Sequence, residues 1–361
     1  MIKHFVRKIV PEPVIKVYHW VLSYLAAAMY QNPSQELVVI GVTGTHGKTT
    51  TVEWIGRILE SAGESVGWAT TNSFKVGSKE WPNATKMTML GRFKLQKMLR
   101  DMVTQGIKYA VIETSSQGIV QYRHLGIKYD VILITDLAPE HIEAHGGFEN
   151  YKHAKGKLFE HLQGRGTKIL NLDDKYVDYF AAFDSEKTYG FSVRSDDRKV
   201  VVQDKLTLVT PVVAENVKTT AKGSTFTISG QDFKLAPLGM FNVYNALAAI
   251  TVAQALGFSL KEIAAGVSKL EGVPGRLEVI GEGQDFTVIV DYAFEPVALS
   301  KLFEAIELFD HNRVIHVTGS TGGGRDVARR PKIGKLSAEH ADVTIVTNED
   351  PYDDDPQEII D

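Results

Sequence analysis

Apolar and polar positions fall in alternating blocks along the chain. From residue 37, "LVVIGVTG" is a continuous apolar run of strand length, and the following "KTTTVEWIGRILESAG" has helical spacing that stops at a glycine. The alternation recurs. "YAVIETSS", "YDVILITDL" and "TKILNLDD" read as buried strands, while "RFKLQKMLRDMVTQG" and "ENYKHAKGKLFEHLQG" read as helices. Strands that are apolar on both faces and separated by helices predict an α/β fold with a mostly parallel, doubly wound sheet. Residues 186–235 change character, and their alternating Val/Thr/Lys segments predict antiparallel strands. Helices return in "NVYNALAAITVAQALGFSLKEIAAGVSKL".

Gly272, Pro274 and Gly275 then punctuate the chain. Beyond them, "FTVIVDYA", "NRVIHVTGS" and "ADVTIVTNED" predict about three more strands with helices between, hence a smaller Rossmann-like α/β domain. "PQEIID" opens a helix where the sequence stops, so this second domain is expected to be incomplete. The expected division is an N-terminal helix over 1–34, a nucleotide-binding domain over 35–273 and a C-terminal domain over 274–361.

The N-terminus adds a third kind of pattern. Lys3, His4, Arg7 and Lys8 precede a largely apolar run from Val14 to Tyr30, broken by Lys16 and His19. It resembles a signal peptide but has no small-residue cleavage pattern, and it barely reaches the ~20 apolar residues of a bilayer span. Two readings stand: a helix packed on its own protein, or peripheral membrane contact through residues 1–30, favoured by Tyr18, Trp20, Tyr24 and Tyr30. Elsewhere composition mainly excludes. A net charge of −4, from 40 Lys+Arg against 44 Asp+Glu, provides no overall basic field, so no nucleic-acid partner is expected. Without cysteine there is neither a disulfide framework nor a thiolate metal site, which fits a cytoplasmic protein, with the inner face of the membrane as the alternative place.

Three strand ends carry candidate chemistry. "GVTGTHGKTT", residues 41–50, leaves an apolar strand and opens a helix, as a phosphate cradle requires. It does not fit G-x-x-x-x-G-K-[ST], because the position five before Gly47 is Val42. Lys48 is placed to reach phosphates, and Thr49 or Thr50 to supply a hydroxyl to Mg²⁺. "VIETSS" puts Glu113 at the carboxyl edge of the next strand, and "TDLAPEHIEAHG" puts Glu140, His141 and His145 past another. Either cluster alone reads as solvated loop; beside a phosphate loop, they become candidate metal ligands.

These stretches, with "NLDD", "LGMFNVYNALAA", "GVPGRLEVI", "VIVDYA" and "TNEDP", occur in the order and spacing of the Mur ligase family, and the chain resembles its MurE branch from about residue 36 onward. The family loop is G-[IV]-T-G-T-[NH]-G-K-T-T, which accounts for the shifted glycine. The resemblance implies an ATP-dependent ligase that adds an amino acid to a muramoyl-peptide through an acyl phosphate, with ATP and Mg²⁺ as cofactors. It implies that Gly44, Thr45, His46, Gly47, Lys48, Thr49 and Thr50 cradle phosphates, with Asn242 and Asn245 on the adenine side, Arg276 on phosphate and Asp291 on ribose. Thr49 and Glu113 would hold one Mg²⁺, and His141 a second beside Lys155, which matches the lysine that the family carbamylates. Lys48, His141, Lys155 and Arg276 would be catalytic, with Thr88, Ser115, Arg325, Asp350 and Tyr352 facing substrates. A monomer is expected.

Four departures from the family matter. Only about 35 residues precede the loop strand, so the domain that grips a UDP-linked acceptor is missing, and a lipid-linked acceptor is the alternative. Phe294 stands where the family has histidine. "EDPYDDDP" replaces the D-N-P-R signature, with Tyr352 in the arginine's place; a tyrosine cannot form the bidentate fork to a carboxylate, whereas Asp353 to Asp355 could attract a cationic amine. The sequence also stops early. The alternatives are a folylpolyglutamate or poly-γ-glutamate synthetase-like ligase and an ATP-binding pseudo-ligase.

Overall fold

The computed structural model describes residues 11–85, 87–139, 145–194, 201–202, 205–206, 208–322, 327–352 and 354–361. The chain opens with α1 (Glu12–Met29), entered through Pro11 and Pro13, whose fixed φ suits a first turn. Next come β1 (Val38–Thr43), α2 (Lys48–Ser61), β2 (Val66–Ala69), β3 (Ser73–Val76), β4 (Lys79–Pro82), α3 (Arg92–Thr104), β5 (Tyr109–Glu113) and α4 (Ser116–Val120). They are followed by β6 (Val131–Ile134), α5 (Phe148–Phe159), β7 (Thr167–Asn171), α6 (Val177–Ala181), β8 (Lys187–Ser192), β9 (Val201–Val202), β10 (Lys205–Leu206) and β11 (Thr210–Val213). β12 (Glu215–Thr220), β13 (Gly223–Ile228) and β14 (Gln231–Leu235) lead into α7 (Met240–Ala255) and α8 (Leu260–Val267). The last elements are β15 (Glu278–Ile280), β16 (Val288–Val290), α9 (Pro296–Ile306), β17 (Ile315–Thr321), α10 (Arg330–His340), β18 (Val343–Glu349) and α11 (Pro356–Ile360).

A nine-stranded sheet in the order β11-β8-β7-β6-β1-β5-β2-β3-β4 organises most of the chain. Its strands pair in parallel from β11 through β2, and β3 and β4 extend it antiparallel. The expected doubly wound sheet is therefore present, with β1 between β5 and β6, so the loops after these three strands leave the same edge. The antiparallel reading of 186–235 needs correction in part. β8 and β11 join the parallel sheet, and only β9–β10 and β12–β13–β14 are antiparallel. The error has a physical source: β8 reads "KTYGFS", with an exposed first residue, and a strand near a sheet edge looks half-polar whichever direction it runs.

Two apolar cores cover the two faces of the sheet. One joins Ile40, Val42, Val111 and Leu133 to α2, α7, α8 and the β12–β14 ribbon; the other joins Val39, Ile112, Ile132 and Leu170 to α3, α5 and α6. Consecutive strand residues point to opposite faces, so these strands read as continuous apolar runs. Trp54 on α2, 2% exposed, also donates its indole N–H to the Glu271 carbonyl at 3.1 Å, just before the Gly272–Gly275 punctuation. On the second face His124 lies edge-on to His161, ring centroids 4.8 Å apart.

α1 packs along α3. Its Ser23, Ala26 and Ala27 are buried, and the Ser23 hydroxyl donates to the Tyr122 carbonyl at 2.6 Å. Arg92 reaches Ser23 Oγ, His19 Nδ1 and the Gln121 carbonyl from α3. The C-terminal elements correct a second expectation. β16 forms an antiparallel ribbon with β15 and does not join the β17–β18 parallel pair, over which Leu299, Phe303 and Ile333 of α9 and α10 form a small core.

Candidate active site

The carboxyl ends of β1, β5 and β6 converge on the glycine loop. β1 ends at Thr43, and α2 starts at Lys48 after a left-handed Gly47 (φ 72°). The two loop glycines are sterically obligatory. A Cβ on Gly44 (φ 147°) would lie 1.8 Å from Thr135 Oγ1, and one on Gly47 would lie 2.1 Å from Asn245 Oδ1. The loop thus wraps tightly between β6 and α7, and it lines, with the α2 N-terminus, a cavity of about 590 Å³. Thr45, His46, Gly47, Lys48, Thr49, Thr50, Thr88, Glu113, Asn245, Arg276 and Asp291 all line that cavity. Lys48 folds back, donating from Nζ to the Thr45 carbonyl at 2.8 Å.

Glu113 is 2% exposed at the end of β5. Its carboxylate accepts from Thr49 Oγ1 at 3.1 and 3.2 Å, from Thr71 N at 2.7 Å and from Thr71 Oγ1 at 3.0 Å. A buried carboxylate beside the hydroxyl that follows the loop lysine is an all-oxygen donor set, the kind that suits Mg²⁺ also bound by phosphate. Among the described residues no three His, Asp or Glu side chains gather as a metal cage. His141 lies outside the described residues, as do Glu140 and Arg325.

Asp136, just beyond β6, is the residue that sequence reasoning missed. Its carboxylate accepts from the amides of Thr45 at 3.0 Å and His46 at 2.7 Å, and from His46 Nδ1 at 2.7 Å. Burial alone would raise its pKa, but the His46 charge and hydrogen bonds, with Lys301 adding, hold it well below the ordinary carboxylate range. His46 is therefore tied to the loop's own support through one ring nitrogen, so its imidazole helps to shape the turn. The signal for Asp136 was in "ITDL", an acid directly after a buried strand. Asn171, Asp173, Asp174 and Lys175 after β7, and Tyr244 on α7, line the same cavity. Asp173 is held by Tyr244 Oη at 3.0 Å and Ser192 Oγ at 2.8 Å. Burial raises Asp174, which accepts from the amides of Leu137 and Tyr176.

The C-terminal elements close the cavity. Arg276 lies 4.7 Å over the Tyr292 ring, and Asp291, raised by burial, accepts from the Leu277 amide at 2.6 Å. Phe294 also lines the cavity, with the Arg329 guanidinium 5.1 Å over its ring. Lys155, on α5, lies behind the loop. It is 1% exposed, its Nζ donates to the Gly44 carbonyl, and it sits 4.5 Å over the Tyr151 ring. It depresses the neighbouring His145, already lowered by burial.

Other expected site residues lie away from the cavity. Asn242 is buried behind Asn245, accepting from its Nδ2 at 3.1 Å, and so supports it. Ser115 caps α4, accepting from the Gly118 amide at 3.2 Å. Asp350 and Tyr352 follow β18 in left-handed conformations, Tyr352 exposed, and Asp354 meets Arg330 at 3.5 Å.

Fold and site define a phosphate-loop α/β protein in which a second α/β segment leans over the loop. Residues 42–253 match the Mur ligase middle domain, and residues 275–361 match the Mur ligase, glutamate ligase domain. The chain belongs to the Mur ligase family. It is 35% identical over 367 residues to UDP-N-acetylmuramoyl-L-alanyl-D-glutamate–2,6-diaminopimelate ligase of Geobacillus kaustophilus, covering 97% of this chain and 71% of that one. It is 36% identical over 373 residues to UDP-N-acetylmuramyl-tripeptide synthetase of a Roseiflexus species, covering 97% and 70%. A solved UDP-N-acetylmuramoyl-L-alanyl-D-glutamate–2,6-diaminopimelate ligase matches with a TM-score of 0.63 at 29% identity, over 90% of this chain and 64% of that one. The chain thus spans about two thirds of that solved structure's length.

Proposed function

We propose that the chain is an ATP-dependent, ADP-forming ligase that joins an amino acid to the peptide of a muramoyl-peptide in peptidoglycan synthesis. The observation that carries this reading is the single cavity onto which the glycine loop, Glu113, Arg276 and Asp291 all open. Bound ATP would supply the phosphoryl group that activates the substrate carboxylate as an acyl phosphate, with ADP leaving; the incoming amine would then displace phosphate to form the amide, and Mg²⁺ would neutralise phosphate charge. The chain's own residues then orient and neutralise. The Gly44–Thr50 loop, through the amides that Asp136 does not engage, and the α2 N-terminus cradle phosphate, and Lys48 swings from the Thr45 carbonyl to reach it. Thr49 and Glu113 would hold one Mg²⁺, and His141 would hold a second, beside Lys155 in carbamylated form. Asn245 faces the base, Asp291 the ribose and Arg276 the phosphates. Thr88 lies toward the acceptor. No protein nucleophile is needed, because positioning turns an encounter of carboxylate, phosphate and amine into reaction within one site.

The test is ADP release across amino acids, with UDP-linked and lipid-linked muramoyl-peptides as acceptors. Release that requires both a muramoyl-peptide and an amine supports the reading. Release driven by a folate with glutamate, or the absence of amine-dependent release, overturns it. Lys48→Ala should lower turnover by at least about a hundredfold, and full turnover by that variant would remove the loop from the chemistry.

A further inference from the structure

The helix α1 presents a continuous apolar face that none of the described residues covers. Val17, Tyr18, Trp20, Val21, Tyr24 and Leu25 are 45% to 61% exposed. Their spacing puts them on one side of the helix, opposite the buried Ser23, Ala26 and Ala27 that fix it to the body. Val14 and Met29 extend the same stripe to both ends, and no charged residue interrupts it. Trp20 and Tyr24 pack against each other within it, ring centroids 5.0 Å apart.

An apolar helical face this long, with two aromatic residues packed within it, calls for an occupant, and charge selects which. The first thirty residues hold four basic side chains (Lys3, Arg7, Lys8 and Lys16) against the single acid Glu12, a net of +3 in a chain whose total is −4. Two copies docked through α1 would bring these positive segments together, whereas an anionic lipid surface complements them. None of the described helices is long and apolar enough to cross a membrane. An apolar stripe with Trp and Tyr, beside basic residues, suits a helix lying in the plane of the interface.

We propose that α1 docks this protein on the surface of an anionic lipid bilayer, with the Val17–Val21–Leu25 stripe and Trp20 entering the headgroup boundary. This goes beyond the ligase reading, and its test needs no catalysis. The full chain is sedimented with sucrose-loaded vesicles of phosphatidylcholine alone or with phosphatidylglycerol at roughly one lipid in three. The expected result is binding to the anionic vesicles that weakens as salt is raised, with a blue shift of Trp20 emission. Val17→Asp/Val21→Asp should lower the partition coefficient at least about tenfold, while thermal unfolding of this surface variant is unchanged. Absence of binding to anionic vesicles overturns the proposal, as does equal binding by the double variant. So does light scattering that shows a dimer which the double variant dissolves, without vesicle binding by the parent chain.

Discussion

Replacing Asp136 with alanine strips the glycine loop of three hydrogen bonds at once. Those from the Thr45 and His46 amides and from His46 Nδ1 all end on this carboxylate, at 2.7 to 3.0 Å. A hydrogen bond to a charged group contributes about 1.5–3 kcal/mol, but the three are not additive, because freed amides at the cavity rim regain water. Thr45 also keeps its amide bond to the Asp136 backbone carbonyl at 3.0 Å. Asp136 and His46 are about a fifth exposed, so the expected loss for Asp136→Ala is about 1.5–3 kcal/mol. Asp136→Asn keeps one acceptor oxygen and should lose about 1–2 kcal/mol. Urea unfolding at neutral pH, followed through the buried Trp54 and Trp68, measures both. A carboxyl depressed by folding adds stability that is complete above its unfolded pKa of about 4 and lost as pH falls further. The gap between parent and Asp136→Ala should therefore narrow below pH ~4. An alanine variant within about 0.5 kcal/mol of the parent at neutral pH would refute the assignment of loop support to Asp136.

Further expectations come from other positions. Gly47→Ala forces a side chain into a left-handed conformation with its Cβ 2.1 Å from Asn245 Oδ1. Calorimetric titration should show ADP affinity reduced at least about tenfold, with about 1–3 kcal/mol of stability lost; unchanged affinity would separate loop shape from nucleotide binding. His124 is pushed down to about 3 by burial, with His161 and Lys157 adding. Because the unfolded chain takes up that proton near pH 6.5 and the folded chain does not, stability should fall as pH drops from 6.5 toward 3. His124→Gln should flatten this slope by about 3 kcal/mol between pH 6.5 and 4, and an unaltered slope would place the burden elsewhere.

The fold was legible wherever burial and periodicity agree. The parallel strands are apolar on both faces because helices cover both, so their runs and the helices between them read directly from the sequence. Direction at the sheet margin was not legible, because β8 and β11 show the half-polar pattern of an antiparallel ribbon while pairing in parallel. Within the site, the loop, Glu113, Arg276 and Asp291 were found from motif and resemblance, since each must sit at a strand end or a chain turn. Asp136 was missed because its function lies in contacts with backbone amides some ninety residues away, which no local spacing encodes. Asn242 and Asn245 looked equivalent in the sequence, yet the helix points one at the cavity and the other at its neighbour.

Trp54 ties α2 to Glu271, and Val273 buries into the same core just before the chain passes into its second α/β segment. Any rotation of that segment about Gly272–Gly275 thus pivots from a point fixed to α2. A ligand that shifted α2 would therefore also shift the pivot of that segment, and coupling of this kind is reciprocal.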